Sequence, residues 1–144
     1  MEPIEPTGMT DMKFQLDERL IADCVDLMDY PLSKVLMLKD ANFPRLVLVP
    51  RVAGAVELFD LTTDQQNQLM QEISLASQRL KQAFDATKIN VGAIGNMVSQ
   101  LHVHIVARFD GDPCWPKTMW DYPKGAYPEG DLETWAEGMK NILL

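Results

Sequence analysis

Residues 100–109, QLHVHIVARF, alternate strictly between two kinds of side chain. Leu101, Val103, Ile105, Ala107 and Phe109 form one set. Gln100, His102, His104, Val106 and Arg108 form the other. A strand sends successive side chains to opposite faces, so this period of two commits the segment to a sheet with its first set in the core. A slip of one residue would turn the apolar set to water, so the register is fixed as well. The second set is what the fold does not require. It holds both histidines of the chain.

Three readings fit a pair of histidines on one strand face. They are ordinary polar residues of a half-exposed sheet surface. They are ligands of a shared metal ion, with a third ligand from elsewhere that no spacing announces. Or they do phosphoryl chemistry, since a neutral imidazole is a good nucleophile near pH 7 and forms a phosphoramidate that water hydrolyses. The glycine-containing loop 92–96, GAIGN, favours the third. Glycines let a backbone approach a phosphate closely and aim N–H groups at it. A simple hairpin turn has the same composition.

The rest of the chain supplies one sheet and several helices. Apolar residues at Leu20, Ile21, Cys24, Val25 and Met28 predict a helix over 17–29, capped by Asp17 and ended before Pro31. Residues 33–39 and 46–49 read as strands joined by the turn 40–44, with Pro50 closing the second, and 55–58 as a further short strand. A capping box over 63–66 opens a long helix with Leu69, Ile73, Ala76, Leu80 and Phe84 on its apolar face. Residues 88–94 read as a strand, and Gly95-Asn96 as a turn. Residues 110–130, rich in proline, glycine and aromatics, predict an ordered irregular excursion. Asp131 caps a last helix over 131–144, with Leu132, Trp135, Ala136, Met139 and Leu143 on one face. Helices packed on one side of such a sheet make an α+β domain spanning 1–144, with 1–12 as a loose lead-in.

The formal net charge of −8 argues against general binding to nucleic acid or anionic membranes, which relies on clustered Lys and Arg. A small anionic ligand needs only a few donors, and Arg45, Arg51, Arg108, Lys117 and Lys124 are available. No apolar run approaches the ~20 residues that span a bilayer. The N-terminal stretch MEPIEPTG has no signal-peptide pattern. Two cysteines, Cys24 and Cys114, make no disulfide framework, and a reducing cytoplasm is the expected setting.

The run Gln100-Leu101-His102-Val103-His104-Ile105-Val106 resembles the mark of the histidine triad family, alternating histidine and apolar residues on the last strand of a sheet. The resemblance extends upstream to "VLMLKDANFPRLVLVPR", "DLTTDQQNQLMQEI" and "NVGAIGN", covering residues 33–108. It implies an α+β fold with a mostly antiparallel sheet, usually paired as a homodimer. It implies hydrolysis or transfer of nucleoside monophosphates from dinucleoside polyphosphates, phosphoramidates or nucleotidyl adducts, with no metal or cofactor in most members. His102 takes the place of the nucleophile, and His104 that of the histidine which contacts the phosphate and assists the leaving group. Asn96 falls at a phosphate-binding loop position. Asp40, with Asn42 as second choice, falls where the ribose hydroxyls are held. Met97 and Gln100 complete the implied nucleotide-binding set.

Two departures accompany the resemblance. Gln100 stands where the family has its first triad histidine, and Arg45 where many members carry a further histidine. The family's nucleophile donates through its other ring nitrogen to the backbone carbonyl of the first triad position, and Gln100 retains that carbonyl. The segment GDPCWPKTMWDYPKGAY is no part of the motif, and its tryptophans read as docking or base-stacking groups. The implied function is a nucleotidyl hydrolase or transferase acting through His102. The alternative is a non-catalytic nucleotide-binding or scaffold protein, and a metal-dependent enzyme comes third.

Overall fold

The structure is a computed structural model that describes residues 13–144; the expected lead-in over 1–12 lies outside the described residues. Five antiparallel strands form one sheet: β1 (Cys24–Asp29), β2 (Ser33–Leu38), β3 (Arg45–Pro50), β4 (Lys88–Gly92) and β5 (Val103–Arg108). Their spatial order is β1-β2-β3-β5-β4. Three helices accompany it, α1 (Glu18–Asp23), α2 (Thr63–Phe84) and α3 (Asp131–Leu143). This is the expected α+β arrangement with an antiparallel sheet.

The pleat divides the sheet's two faces. Val35, Met37, Leu46, Leu48, Val103, Ile105 and Ala107 pack against Leu69, Ile73, Ala76 and Leu80 of α2 and Met139 and Leu143 of α3, as the main core. The opposite face carries Leu36, Leu38, Val47 and Val49, covered by Leu20 of α1. Further along, Val106 is covered by Phe43 and Met119. The helices are therefore not all on one side, as the sequence pattern had implied: α1 lies across the sheet from α2 and α3.

The helix expected over 17–29 ends at Asp23, and its second half is the edge strand β1. Asp17 does cap α1, its side chain accepting from the Arg19 N–H at 2.8 Å. Cys24 then turns extended and pairs with Leu38. A bulge between Asp26 and Met28 lets Leu27 and Met28 both reach the main core while Cys24 faces the other cluster. An extra residue breaks the period of two, and that is why this strand imitates a helical stripe.

The strand expected over 55–58 is replaced by a loop leading into a 3-10 turn, Leu58–Asp60. The Asp60 carboxylate accepts from the N–H groups of Val56 and Glu57, which removes them from any ladder. The capping box of α2 sits one residue earlier than predicted. Thr62 accepts from the Gln65 N–H, and Gln65 accepts from the Thr62 N–H. The cap of α3 is Gly130, at φ 86, with Asp131 as first helical residue. β4 stops at Gly92 rather than at 94, and β5 begins at Val103 rather than at 100. Residues 110–130 contain neither helix nor strand, as predicted, and lie across the second face of the sheet.

Glu72 ties α2 to the start of β2. Its side chain is fully buried and accepts from the N–H groups of Leu32 and Ser33 at 2.8 and 3.0 Å and from Gln68 Nε2 at 2.8 Å. Substitution Glu72→Ala strands two buried backbone donors, each worth ~1–3 kcal/mol. Urea unfolding is expected to show a loss of about 3 kcal/mol, with the slope unchanged.

Candidate active site

The alternation of β5 turns His104, Val106 and Arg108 away from the helices, and His102 continues that face just before the strand begins. The face is not the solvated surface that an isolated strand suggests. His102 and His104 are 7% and 8% exposed. Their ring centroids are 5.0 Å apart, at 69°. Trp120, from the irregular segment, lies 5.7 Å from His104. The position opposite His104 on β4 is Gly92, whose missing side chain makes room for that indole. A Cβ built on Gly92 would stand 2.7 Å from the Trp120 ring.

Each histidine has one ring nitrogen fixed by a neighbour. His102 Nδ1 is 2.7 Å from the Gln100 carbonyl oxygen. A carbonyl only accepts, so Nδ1 carries the proton and the lone pair resides on Nε2. Arg45 Nε donates to His104 Nδ1 at 3.2 Å. A guanidinium only donates, so this ring is protonated on Nε2. Burial, reinforced by the charge of Arg45 and by His102 and Lys124, lowers the His104 pKa to about 3.

Two cavities meet at His102. One, of about 280 Å³, is bordered by Arg45, Asn96, Met97, His104, Trp120 and Asp121. The other, of about 240 Å³, is bordered by residues of the 56–59 loop and by Gln100. Ile94 and Gly95 wall both. Gly95 has φ 66, a conformation that glycine adopts without strain, and it turns the loop over the histidines.

A family model, the HIT domain, matches residues 22–111. The chain belongs to the HIT family. The HIT fold recurs in solved structures that resemble it over nearly all its length. A histidine triad protein from Bradyrhizobium japonicum is 43% identical, with a TM-score of 0.87 over 92% of this chain and 100% of that one. One from Sinorhizobium meliloti is 41% identical, with a TM-score of 0.85 over 94% and 100%. One from Marinobacter aquaeolei is 39% identical, with a TM-score of 0.87 over 92% and 97%. No curated protein matches the chain.

Within this HIT domain the structure brings together His102, His104, Asn96 and Met97 of the residues singled out in the sequence. It does not bring Asp40 and Asn42 to them. Asp40 is fully buried, with Oδ1 accepting from the N–H groups of Asn42 and Gly125 and Oδ2 3.7 Å from Arg45 Nη1. Asn42 donates through Nδ2 to the Pro123 carbonyl. Both fasten the irregular segment instead of standing open to a ribose. The Gln100 side chain is also engaged: Oε1 accepts from the Asp17 N–H and Nε2 donates to the Gln15 carbonyl. Its amide holds the segment before α1, and only its carbonyl serves His102.

The cations sort in the same way. Arg108 is buried between Phe43 and Trp115 and bonded to Asp112, Asn90 and the Lys117 carbonyl. Arg51 donates to the carbonyls of Tyr30 and Pro31. Only Arg45 of the five basic residues borders the histidine cavity. Trp115 is thus a docking residue, whereas Trp120 walls the site. Sequence reasoning missed Asp121, read both tryptophans alike as docking or base-stacking groups, and took Arg45 as an available cation and as a replaced histidine without placing it against His104. The sequence signal that separates Trp120 from Trp115 is a glycine, Gly92, placed where it faces His104. No group of three or more His, Cys, Asp and Glu side chains able to hold a metal ion occurs among the described residues, and no helix there is long and apolar enough to cross a membrane.

His104 makes stability fall on acidification. The unfolded chain's ring takes a proton near pH 6.5, whereas the folded one resists until about 3. Between these values the unfolded state binds the additional proton. Unfolding free energies from urea titrations at pH 7 to pH 4 are expected to drop by up to about 1.4 kcal/mol per pH unit from this group. The slope should be visibly shallower in His104→Gln.

Proposed function

We propose that this HIT protein is a nucleotide hydrolase or nucleotidyl transferase working through a covalent nucleotidyl-His102 intermediate. Proteins of the family are generally nucleotide hydrolases or transferases. The observation that carries the reading for this chain is the 2.7 Å hydrogen bond from His102 Nδ1 to the Gln100 carbonyl. It fixes the tautomer in which Nε2 is a nucleophile, and it stabilises the positive charge that the ring acquires on attack. In the reaction Nε2 forms a bond to phosphorus as the bond to the leaving group breaks. His104 Nε2–H and the Arg45 guanidinium supply donors to the phosphoryl oxygens, with the loop around Asn96 completing the cradle. Water then cleaves the N–P bond, releases the nucleoside monophosphate and regenerates His102. Asn96 and Met97 are the loop residues that contact the nucleotide in this reading.

Turnover of a diadenosine polyphosphate is the test, with mass spectrometry of the quenched enzyme to trap the adduct. His102→Ala should abolish turnover and adduct together. Because the ring is buried and hydrogen-bonded, its removal should also cost about 1–2 kcal/mol of stability. His104→Ala removes a donor and not the attacking atom, so turnover should fall ~10²–10³-fold but persist. Wild-type turnover in His102→Ala would refute the mechanism. Nucleotide binding without turnover by the native protein would leave the scaffold reading.

A homodimer is part of the same proposal. Trp115 and Trp120 pack within the chain, whereas Trp135 stacks on Phe84 and stays partly exposed. The support is the free edge of β4, beside which Leu58, Phe59, Met70 and Val91 are exposed. Together they form an apolar strip of the sort that large interfaces cover. Light scattering at micromolar concentration should give twice the chain mass, and Met70→Glu should halve it; a monomeric native mass would contradict the dimer.

A further inference from the structure

Arg45 opens β3 opposite Val106 and so projects onto the histidine face beside His104. Its guanidinium is held on three sides. Nε donates to His104 Nδ1 at 3.2 Å, Nη1 lies 3.7 Å from Asp40 Oδ2, and the central carbon lies 5.7 Å from the Trp120 ring centroid. We propose that Arg45 is a positioning residue that fixes His104 as a neutral donor through Nε2, and that it thereby selects substrates whose leaving group departs as a stable anion. The selected class is the phosphoanhydride, in preference to the phosphoramidate. The choice of substrate rests on the hydrolase reading above; the placement of the His104 proton does not.

The chemistry follows from the inventory of donors. Nδ1 of His104 is occupied as an acceptor, so the ring has one proton, on Nε2. A second proton would have to break the Arg45 bond and set a cation against a guanidinium in a buried place. The other groups facing the ring do not offset this. His102 and Lys124 act in the same direction as Arg45, and burial is stronger than any of them. Of the carboxylates around the site, Asp40 is taken up by Arg45, Asn42 and Gly125, and Asp121 stands at the cavity's border.

A neutral imidazole can donate a hydrogen bond to oxygen, but handing over its proton would leave an imidazolate. An amine leaving group needs such a proton as the P–N bond breaks. A phosphate leaving group does not. The His102 Nε2–P bond forms, the P–O bond breaks, and the departing nucleotide phosphate takes the electron pair as an anion. The Nδ1 proton stays on His102 throughout, donated to the Gln100 carbonyl. In the second step water adds across the N–P bond, one of its protons passes to solvent, and the monophosphate leaves.

Two measurements on the full chain test this. The first follows the imidazole nitrogens of ¹⁵N-labelled protein by NMR between pH 4.5 and 8. His104 should show an unprotonated Nδ1, a protonated Nε2 and no titration in that range. In Arg45→Gln the shorter side chain both removes the charge and opens the cavity it borders to water, so the ring should begin to titrate within that range. The second compares kcat/KM for a diadenosine polyphosphate with that for an adenosine phosphoramidate carrying an alkylamine. The native protein should favour the phosphoanhydride. Arg45→Gln should cut that preference about tenfold or more, because a protonatable His104 becomes a general acid, an effect typically worth ~10²–10⁴. The gain should follow the protonation of His104 with pH, which the loss of a phosphate-binding charge does not. Native His104 titrating near its ordinary value of about 6.5, a native preference for the phosphoramidate, or an unchanged ratio in a folded Arg45→Gln would each overturn the proposal. The two native measurements decide it even if that variant does not fold. Should the native protein cleave neither substrate while His104 keeps the expected proton pattern, the hydrolase reading fails and the placement of the proton by Arg45 stands.

Discussion

The antiparallel pairing of β3 with β5 lies within the sheet, and both strands are buried along their whole length. Its ladder sets Arg45 against Val106, Val47 against His104 and Leu48 against Val103. Because each strand alternates, one register decides everything on both faces. Leu46, Leu48, Val103 and Ile105 go to the helices, and Arg45, Val47 and His104 go to the opposite face. The apolar set makes any other register costly. The site thus inherits its precision from the core.

The second face is closed by a segment with no regular structure, and it is held by polar groups at few points. Arg108 binds it through Asp112 and the Lys117 carbonyl, with Trp115 stacked on the guanidinium. Asp40 and Asn42 bind it at Gly125 and Pro123. Buried charges of this kind are costly unless paired, and these are paired. The segment in turn supplies Trp120, which shields His104 and contacts Arg45.

Much of this was legible in the sequence where periodicity and burial agree. The strand around Val103–Arg108 and the helix Thr63–Phe84 follow from strict periods of two and of 3.6. The tautomer of His102 was implied by the family resemblance, because the carbonyl it needs is present whatever residue bears it. β1 was illegible because a bulge and burial on both faces erased its alternation. The side-chain partners of Asp40 and Gln100 were illegible for another reason: a polar side chain at a suggestive position can equally satisfy a backbone group far away in the chain. Gln100 bonds to Gln15 and Asp17, and Asp40 to Gly125, contacts that only the folded chain creates. Arg45 looked like a missing histidine, and its partner could be identified only from the ladder that sets it beside His104.

Trp120 over His104 also joins the packing of the irregular segment to the titration of the ring. The indole belongs to the irregular segment, and the burial to which it contributes makes His104 a poor proton acceptor. Linkage runs both ways. If the closed segment disfavours the proton, the proton disfavours the closed segment. The packing of the segment and the protonation of His104 are thus two sides of one equilibrium, and the ties that Arg108 and Asp40 make at the segment's two ends stand against the proton as well as against unfolding.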